Sequence, residues 1–152
     1  MAKQKEADLF HAGTLTDGWK WFGAHPEERR GRKGWVFRVW APHAKAVSVV
    51  GDFNNWNQKA NKLSRKGEIW EGFIADLPAY TTYKYCITGA DGEIRMKADP
   101  YGFHTETRPG TASKLYDISG FRWSDAAFRK KFAQNPVYSA PLNIYEVHLG
   151  SW

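Results

Sequence analysis

The sequence lacks the features that would mark an exported, metal-binding or membrane-spanning chain. It contains one cysteine, Cys86, so no disulfide can form within the chain, and no second Cys or His lies near it at the spacing of zinc ligands. Asn-x-Ser/Thr sequons are absent, the N-terminus has no apolar signal-peptide segment, and no apolar run approaches the length of a membrane span. We therefore expect a cytoplasmic protein with no membrane partner, no metal and no other cofactor.

A concentrated patch of one charge is also missing. The chain carries 22 basic and 16 acidic residues, a net charge of +6, but the densest basic cluster, 29–33, directly follows two glutamates. Mixed charge of this kind is typical of a solvated loop. Aromatic sheets with positive charge also describe proteins that bind single-stranded nucleic acid, in a manner that weakens steeply with salt. The dispersed charge argues against that function, so we expect no nucleic acid as a partner.

Aromatic residues, in contrast, are abundant. Hydrophobic residues make up 42% of the chain and aromatic residues 16%, with eight Trp, seven Tyr and nine Phe, which excludes a disordered chain. A length of 152 residues suits one domain with a substantial core and some peripheral structure. The large rings exceed what one small core usually needs, so we expect some of them on the surface.

Short alternating segments separated by turn signals predict an all-β fold. In one of them Tyr83 and Tyr85 share one face of the segment while Lys84 takes the other. The predicted strands are 34–40, 46–50, 69–74, 82–88, 93–98 and 114–117. Turn signals at intervals of roughly 8–12 residues favour an antiparallel β-sandwich.

The two ends of the chain differ from this central block. Residues 6–12 predict a short helix, and 14–34 an irregular segment that packs its aromatic side chains. Near the C-terminus Ser124 can cap a helix that Asn135-Pro136 would stop, and 142–150 has the composition of a buried strand. The division that follows is a lead-in at 1–33, a sandwich at 34–120, and a linker helix with a terminal strand at 121–152.

The loop 51–56, Gly-Asp-Phe-Asn-Asn-Trp, is the most informative stretch for function. It follows a β-branched strand, and Gly and Asn are residues that suit turns. Trp56 stands at its tip, where an indole is favourable only if something flat and partly apolar covers it. A pyranose ring meets that description, which makes a sugar-binding loop one hypothesis. The alternative, equally supported by the motif alone, is that Trp56 folds back as a lid on the core.

Eight stretches of the chain, in the same order, resemble the start of 1,4-α-glucan (glycogen) branching enzymes. They are 9–14, 22–26, 37–42, 47–54, 83–85, 97–101, 108–113 and 144–152. The Gly-Ala-His-Pro element at 23–26 and the closing Tyr-Glu-Val-His-Leu-Gly-Ser-Trp favour branching enzymes over the related debranching enzymes and pullulanases.

This resemblance implies an immunoglobulin-like β-sandwich of carbohydrate-binding module family 48. In the branching enzymes, which cleave an α-1,4 glucan and transfer the piece to form α-1,6 branches, this module precedes a (β/α)₈ catalytic barrel of the α-amylase superfamily. The segment 142–150 resembles the first strand of that barrel, so the rest of the barrel is an implied partner in the same polypeptide. A barrel takes about 250 residues and its later strands carry the family's catalytic Asp and Glu. We therefore expect no catalytic residue here and no catalysis by this chain alone.

The resemblance also implies a binding site. In sugar-binding members of the family the Asn-Asn-Trp loop supplies a stacking ring and the Tyr-Lys-Tyr strand supplies a lysine to a sugar hydroxyl. Asn55, Trp56 and Lys84 match these residues, and the implied ligand is an α-glucan such as glycogen, starch or a malto-oligosaccharide. Related glycogen-sensing subunits carry a second Trp where this chain has 93–96, which lacks a ring, so we expect weak binding. The alternative is a structural module that only supports the barrel.

Overall fold

Two antiparallel sheets form the first of the two units into which the chain divides. The computed structural model describes residues 2–134, 138 and 141–151. The first unit extends to Ile118 and the second begins at Ser119. The helix α1 (Ala2–His11) and a 3₁₀ turn (Gly18–Lys20) precede the sheets.

The first sheet, sheet A, has the strand order β1-β2-β5-β4. Its strands are β1 (Gly23–Arg29), β2 (Arg32–Trp40), β4 (Ser64–Lys66) and β5 (Ile69–Ala75). Along β2 the side chains of Trp35, Phe37 and Val39 belong to the core. Because side chains alternate along a strand, Val36, Arg38 and Trp40 take the outer face.

The second sheet, sheet B, has the order β3-β6-β9-β8, and β7 also pairs with β6. Its strands are β3 (Ala46–Gly51), β6 (Thr82–Thr88), β7 (Ile94–Lys97), β8 (His104–Thr105) and β9 (Ser113–Lys114). In β6 Tyr83 and Tyr85 are buried in the core, so Thr82 and Lys84 lie on the outer face, as the sequence predicts for Lys84. The antiparallel β-sandwich is therefore confirmed.

The core lies between the sheets and is rich in rings. The Phe37 ring of sheet A meets the Tyr83 ring of sheet B edge to face, with centroids 5.3 Å apart. The Tyr83 and Tyr85 hydroxyls both donate to Asp99 Oδ2, at 2.7 and 3.2 Å. Burial first, and then the neighbouring Asp99 carboxylate, raise the pKa of both tyrosines well above its ordinary value. The hydroxyls therefore stay protonated and satisfy a carboxylate that is itself buried.

A buried ion pair marks the outer face of sheet A, beneath the N-terminal segment. Arg38 Nε donates to Glu71 Oε2 at 2.7 Å, and the two side chains are only 5% and 9% exposed. The Arg38 guanidinium also lies over the Trp21 ring and donates to the Trp21 carbonyl at 3.2 Å. Burial opposes ionisation of Glu71, but Arg38 and Lys66 outweigh it and hold the Glu71 pKa at about 2. The pair therefore ties the segment before β1 to the sheet.

The prediction of an irregular segment at 14–34 is wrong over part of its length, because β1 lies within it. This strand pairs with β2 along its whole length, from Gly23 opposite Arg38 to Arg29 opposite Arg32. The tight turn between them has φ 53° at Arg30 and φ 76° at Gly31, as two-residue hairpins require. The basic cluster 29–33 thus contains the turn of the β1–β2 hairpin. The charged residues and Pro26 obscured the strand pattern in the sequence. β1 is an edge strand, where proline is tolerated.

The second unit contains the helix α2 (Ala126–Gln134), which agrees with the helix predicted after Ser124. The predicted stop at Asn135-Pro136 lies outside the described residues. The strand predicted at 142–150 is not formed: 141–148 has no regular secondary structure and Leu149–Ser151 is a 3₁₀ turn. A strand needs a neighbour to pair its backbone groups, and the described part of this unit holds no sheet. Across all described residues, no helix has the length and apolar character needed to cross a membrane.

Candidate glucan-binding site

The loop after β3 is built by its own side chains. A 3₁₀ turn spans Asp52–Asn54, and the Asn54 side chain fixes its start. The Asn54 amide donates to the Val49 carbonyl at 3.0 Å and to Asn61 Oδ1 at 2.8 Å, while its oxygen accepts from the Gly51 N–H at 3.1 Å. Polar side chains therefore replace the strand pairing that ends at Gly51.

Gly51 is required by a close approach. A Cβ atom at this position would lie 2.1 Å from the Thr82 carbonyl oxygen and 2.8 Å from the Phe53 ring. The residue itself is extended, with φ 179°.

The left-handed residues of the loop are instead Asn55, with φ 51°, and Trp56, with φ 57°. A left-handed bulky residue is rare, and such backbone persists only where the surrounding structure imposes it.

The Trp56 side chain is anchored by its edge. Its Nε1–H donates to Asp52 Oδ1 at 2.9 Å, and its backbone N–H donates to the Gly51 carbonyl at 2.9 Å. The residue is 37% exposed, so the indole is neither a fully buried lid nor a freely rotating surface ring. Because the N–H already has a partner, the ring has its apolar surface to offer a ligand.

Asp52 joins this ring to β6. Its Oδ2 accepts a short hydrogen bond from Thr82 Oγ1, while Oδ1 holds the indole. The Thr82 hydroxyl first, and then the Trp56 N–H, hold the pKa of Asp52 below its ordinary value. The carboxylate is therefore ionised at neutral pH, which strengthens both hydrogen bonds.

Lys84 follows Thr82 by two residues and lies on the same outer face of sheet B. At the rise of a strand, their Cα atoms are about 6.7 Å apart. The Lys84 ammonium donates to Thr111 Oγ1 at 2.6 Å. The contacts therefore bring Trp56 and Lys84, which are far apart in sequence, to one end of one sheet face.

Thr111 is a part of this constellation that sequence reasoning missed. It precedes β9, whose Ser113 pairs with Tyr83, so the register brings the segment before β9 beside Lys84. Its motif, 108–113, is one of the stretches that carry the resemblance, but a single sequence does not indicate that Thr111 contacts Lys84. Asn55, the third predicted residue, is exposed and supplies left-handed backbone directly before the ring.

The strand β7 presents apolar side chains on this face. Met96 pairs with Cys86 and Ile94 with Thr88, positions on the outer face of β6. Ile94 is 52% and Met96 37% exposed. This part of the face is therefore apolar but carries no aromatic ring. It lies at 93–96, where the related glycogen-sensing subunits have a second Trp.

The chain belongs to the family described as carbohydrate-binding module 48, the isoamylase N-terminal domain, whose model matches residues 21–102. Over 95% of its length it is 45% identical to the 1,4-alpha-glucan branching enzyme GlgB of Bacillus subtilis. It is equally similar, over 97% of its length, to the same enzyme of Geobacillus stearothermophilus. The predicted resemblance to the branching enzymes is confirmed.

The chain spans about a quarter of the length of these curated relatives, 23% in both cases. Among solved structures, a pullulanase of Klebsiella pneumoniae complexed with maltotriose matches 63% of this chain and 9% of its own, with a TM-score of 0.50 and 24% identity. That similarity supports the fold of the module.

Proposed function

We propose that this module binds an α-glucan on the outer face of sheet B, with Trp56 as stacking platform and Lys84 and Thr111 as partners of sugar hydroxyls. The observation that carries the proposal is the anchored indole: its N–H is bound to Asp52 at 2.9 Å while the residue remains 37% exposed. A ring fixed by its edge offers a flat apolar surface, and the C–H face of a glucose unit is complementary to it.

The polar groups beside the ring suit a neutral, hydroxyl-rich ligand. Lys84 supplies ammonium donors and Thr111 a hydroxyl that can both donate and accept, and the two are preorganised by their 2.6 Å contact. Asn55 contributes by holding the backbone that aims Trp56. Ile94 and Met96 offer less contact than a second ring would, so affinity is expected to be weak.

In the whole protein, the proposed role is to position glucan for a branching reaction. The relatives at 45% identity are 1,4-alpha-glucan branching enzymes, and their chains are about four times as long. The parent activity would cleave α-1,4 glucan and transfer the released piece to form an α-1,6 branch. The present chain would contribute binding, with catalysis supplied by a (β/α)₈ barrel in the same polypeptide.

The test is retention of the chain on glycogen or amylose in affinity electrophoresis. Trp56→Ala is expected to weaken binding roughly tenfold to a hundredfold, because base–aromatic stacking, a rough analogue, is worth about 1–3 kcal/mol. Trp40→Ala is the matched control, since Trp40 is 48% exposed and lies on sheet A. Unchanged retention of Trp56→Ala would overturn the proposal and favour a purely structural module.

A further inference from the structure

Three rings gather at the edge of sheet B, away from the loop that carries Trp56. The Tyr80 ring meets His104 at 5.4 Å and Tyr116 at 5.6 Å, and His104 and Tyr116 are themselves 5.6 Å apart. Tyr80 is 56% exposed, and the other two are half-buried. We call this group the edge triad.

The register places the edge triad on the same sheet face as the proposed site. Thr82 pairs with Lys114 and Lys114 with His104, and residues paired across antiparallel strands point to one face. The Thr82 hydroxyl is the group that holds Asp52 and, through it, Trp56. The Trp56 loop and the edge triad therefore flank one row of side chains that crosses β6, β9 and β8.

The spacing of this row suits a ligand longer than one sugar. Thr82 and His104 are separated by two strand spacings, about 10 Å. Lys114, half-buried between them, adds an ammonium group to the row. Trp56 lies beyond Thr82 and Tyr80 stands against His104, so a ligand that contacts both rings has to be longer than this row.

The backbone of Tyr80 is held in an uncommon conformation. Its φ is 66°, and its N–H donates to the Leu115 carbonyl at 2.7 Å. Left-handed backbone at a bulky residue persists only where its surroundings impose it. The result is a tyrosine held at the sheet edge with more than half of its surface in solvent, while Trp56, on the other side of the row, is 37% exposed.

We propose that the edge triad is a second contact point for the same α-glucan, so that the outer face of sheet B selects chains long enough to reach from Trp56 to Tyr80. This inference rests on the proposed function of Trp56. Tyr80 would take the apolar face of a distal glucose unit, with His104 and Tyr116 holding its ring in place, and Lys114 would donate to hydroxyls between the two platforms.

The experiment compares maltose, which is too short to span both rings, with maltoheptaose, in titrations of the chain followed by NMR chemical shifts. Tyr80→Asn removes the ring while keeping a residue that tolerates left-handed backbone. We expect it to weaken maltoheptaose binding at least about fivefold and to leave maltose binding unchanged. Tyr80→Phe, which keeps the ring, is expected to bind like the unmodified chain.

The outcomes separate this inference from the proposed function. Trp56→Ala is expected to weaken both sugars, and Trp40→Ala neither. If Trp56→Ala weakens binding but Tyr80→Asn leaves maltoheptaose affinity unchanged, the edge triad is packing at a sheet edge and this inference is wrong. If Trp56→Ala changes neither sugar, or neither sugar binds, the proposed function fails and the second contact point fails with it.

Discussion

One carboxylate, Asp52, sets the position of the Trp56 indole, which donates its Nε1–H to Asp52 Oδ1 at 2.9 Å while Thr82 holds the other oxygen. The ring is thus held at its edge by a residue that lies beside the proposed glucan-binding surface. Its orientation depends on β6 as much as on its own loop.

We expect Asp52→Ala to weaken glucan binding even though it leaves the ring in the chain. Without the carboxylate, Trp56 gains rotamers that binding must then freeze, at about 0.5–1.5 kcal/mol for such a side chain. The predicted loss in affinity is therefore several-fold, measured by titration with maltoheptaose. Thr82→Val, which removes one of the two hydrogen bonds, should fall between the parent chain and Asp52→Ala. Equal affinity in all three chains would contradict the anchoring role.

Lys84 and Thr111 should behave as one unit. Each is expected to contribute about 0.5–1.5 kcal/mol to glucan binding, so Lys84→Met or Thr111→Ala should weaken it several-fold. Because the two groups share a 2.6 Å hydrogen bond, the double variant should lose less than the sum of the single losses. A double-mutant cycle on maltoheptaose affinity measures this coupling. Strict additivity would show that the two side chains act independently and would contradict their behaviour as one unit.

The ion pair of Glu71 with Arg38 predicts how the sandwich responds to acid. The pKa of Glu71 is lowered from 4.5 to about 2, so its contribution to stability is complete above pH 4.5 and is lost as pH falls through 2. At about 1.36 kcal/mol per pH unit, the difference between 4.5 and about 2 corresponds to roughly 3–4 kcal/mol, an upper bound for this single group. Chemical unfolding between pH 5 and pH 2 should show a fall in the free energy of unfolding.

The Glu71→Gln variant serves as the control for that measurement. It cannot ionise, so it should be less stable than the parent chain at neutral pH and the difference should shrink as pH falls toward 2. Glu68→Gln matches it in chemistry at a partly exposed position beside the same sheet. A constant difference between Glu71→Gln and the parent across this range would contradict the low pKa.

The purified 152-residue chain should form no α-1,6 linkages in amylose. Retaining glycoside chemistry needs a nucleophilic carboxylate and an acid about 5–5.5 Å apart across the bond, and the resemblance assigns both to a barrel of about 250 residues. Linkage analysis after prolonged incubation checks the expectation. New branch points made by this chain would refute it, and a full-length branching enzyme in parallel confirms that the assay detects them.

The sheets could be predicted from the sequence because alternation is local. Tyr83 and Tyr85 against Lys84 in one strand already fix which side chain faces out. The strand β1 could not be found in this way, since its residues after Ala24 are charged, polar or proline and its pairing is set by the hairpin at Arg30 and Gly31. The segment 142–150 shows the opposite error: an apolar pattern is not enough for a strand without a neighbour.

The candidate site could also be predicted only in part. Trp56 and Lys84 could be proposed because each lies in a recognisable motif. Thr111 and the role of Asp52 could not, because both depend on register between segments that the sequence separates by roughly thirty residues. The left-handed backbone at Trp56 could not be predicted either, since the turn signal of the loop came from its Gly and Asn residues.

The Asp99 carboxylate that Tyr83 and Tyr85 share makes the ultraviolet absorbance of these two phenols a reporter of unfolding. Both phenols are buried and bound to Asp99, and their pKa values lie well above those of free tyrosine. During an alkaline titration, this buried pair stays protonated and does not change its ultraviolet absorbance while the two sheets enclose it. The late rise in phenolate absorbance therefore reports the pH at which the two sheets separate, without any added dye or label.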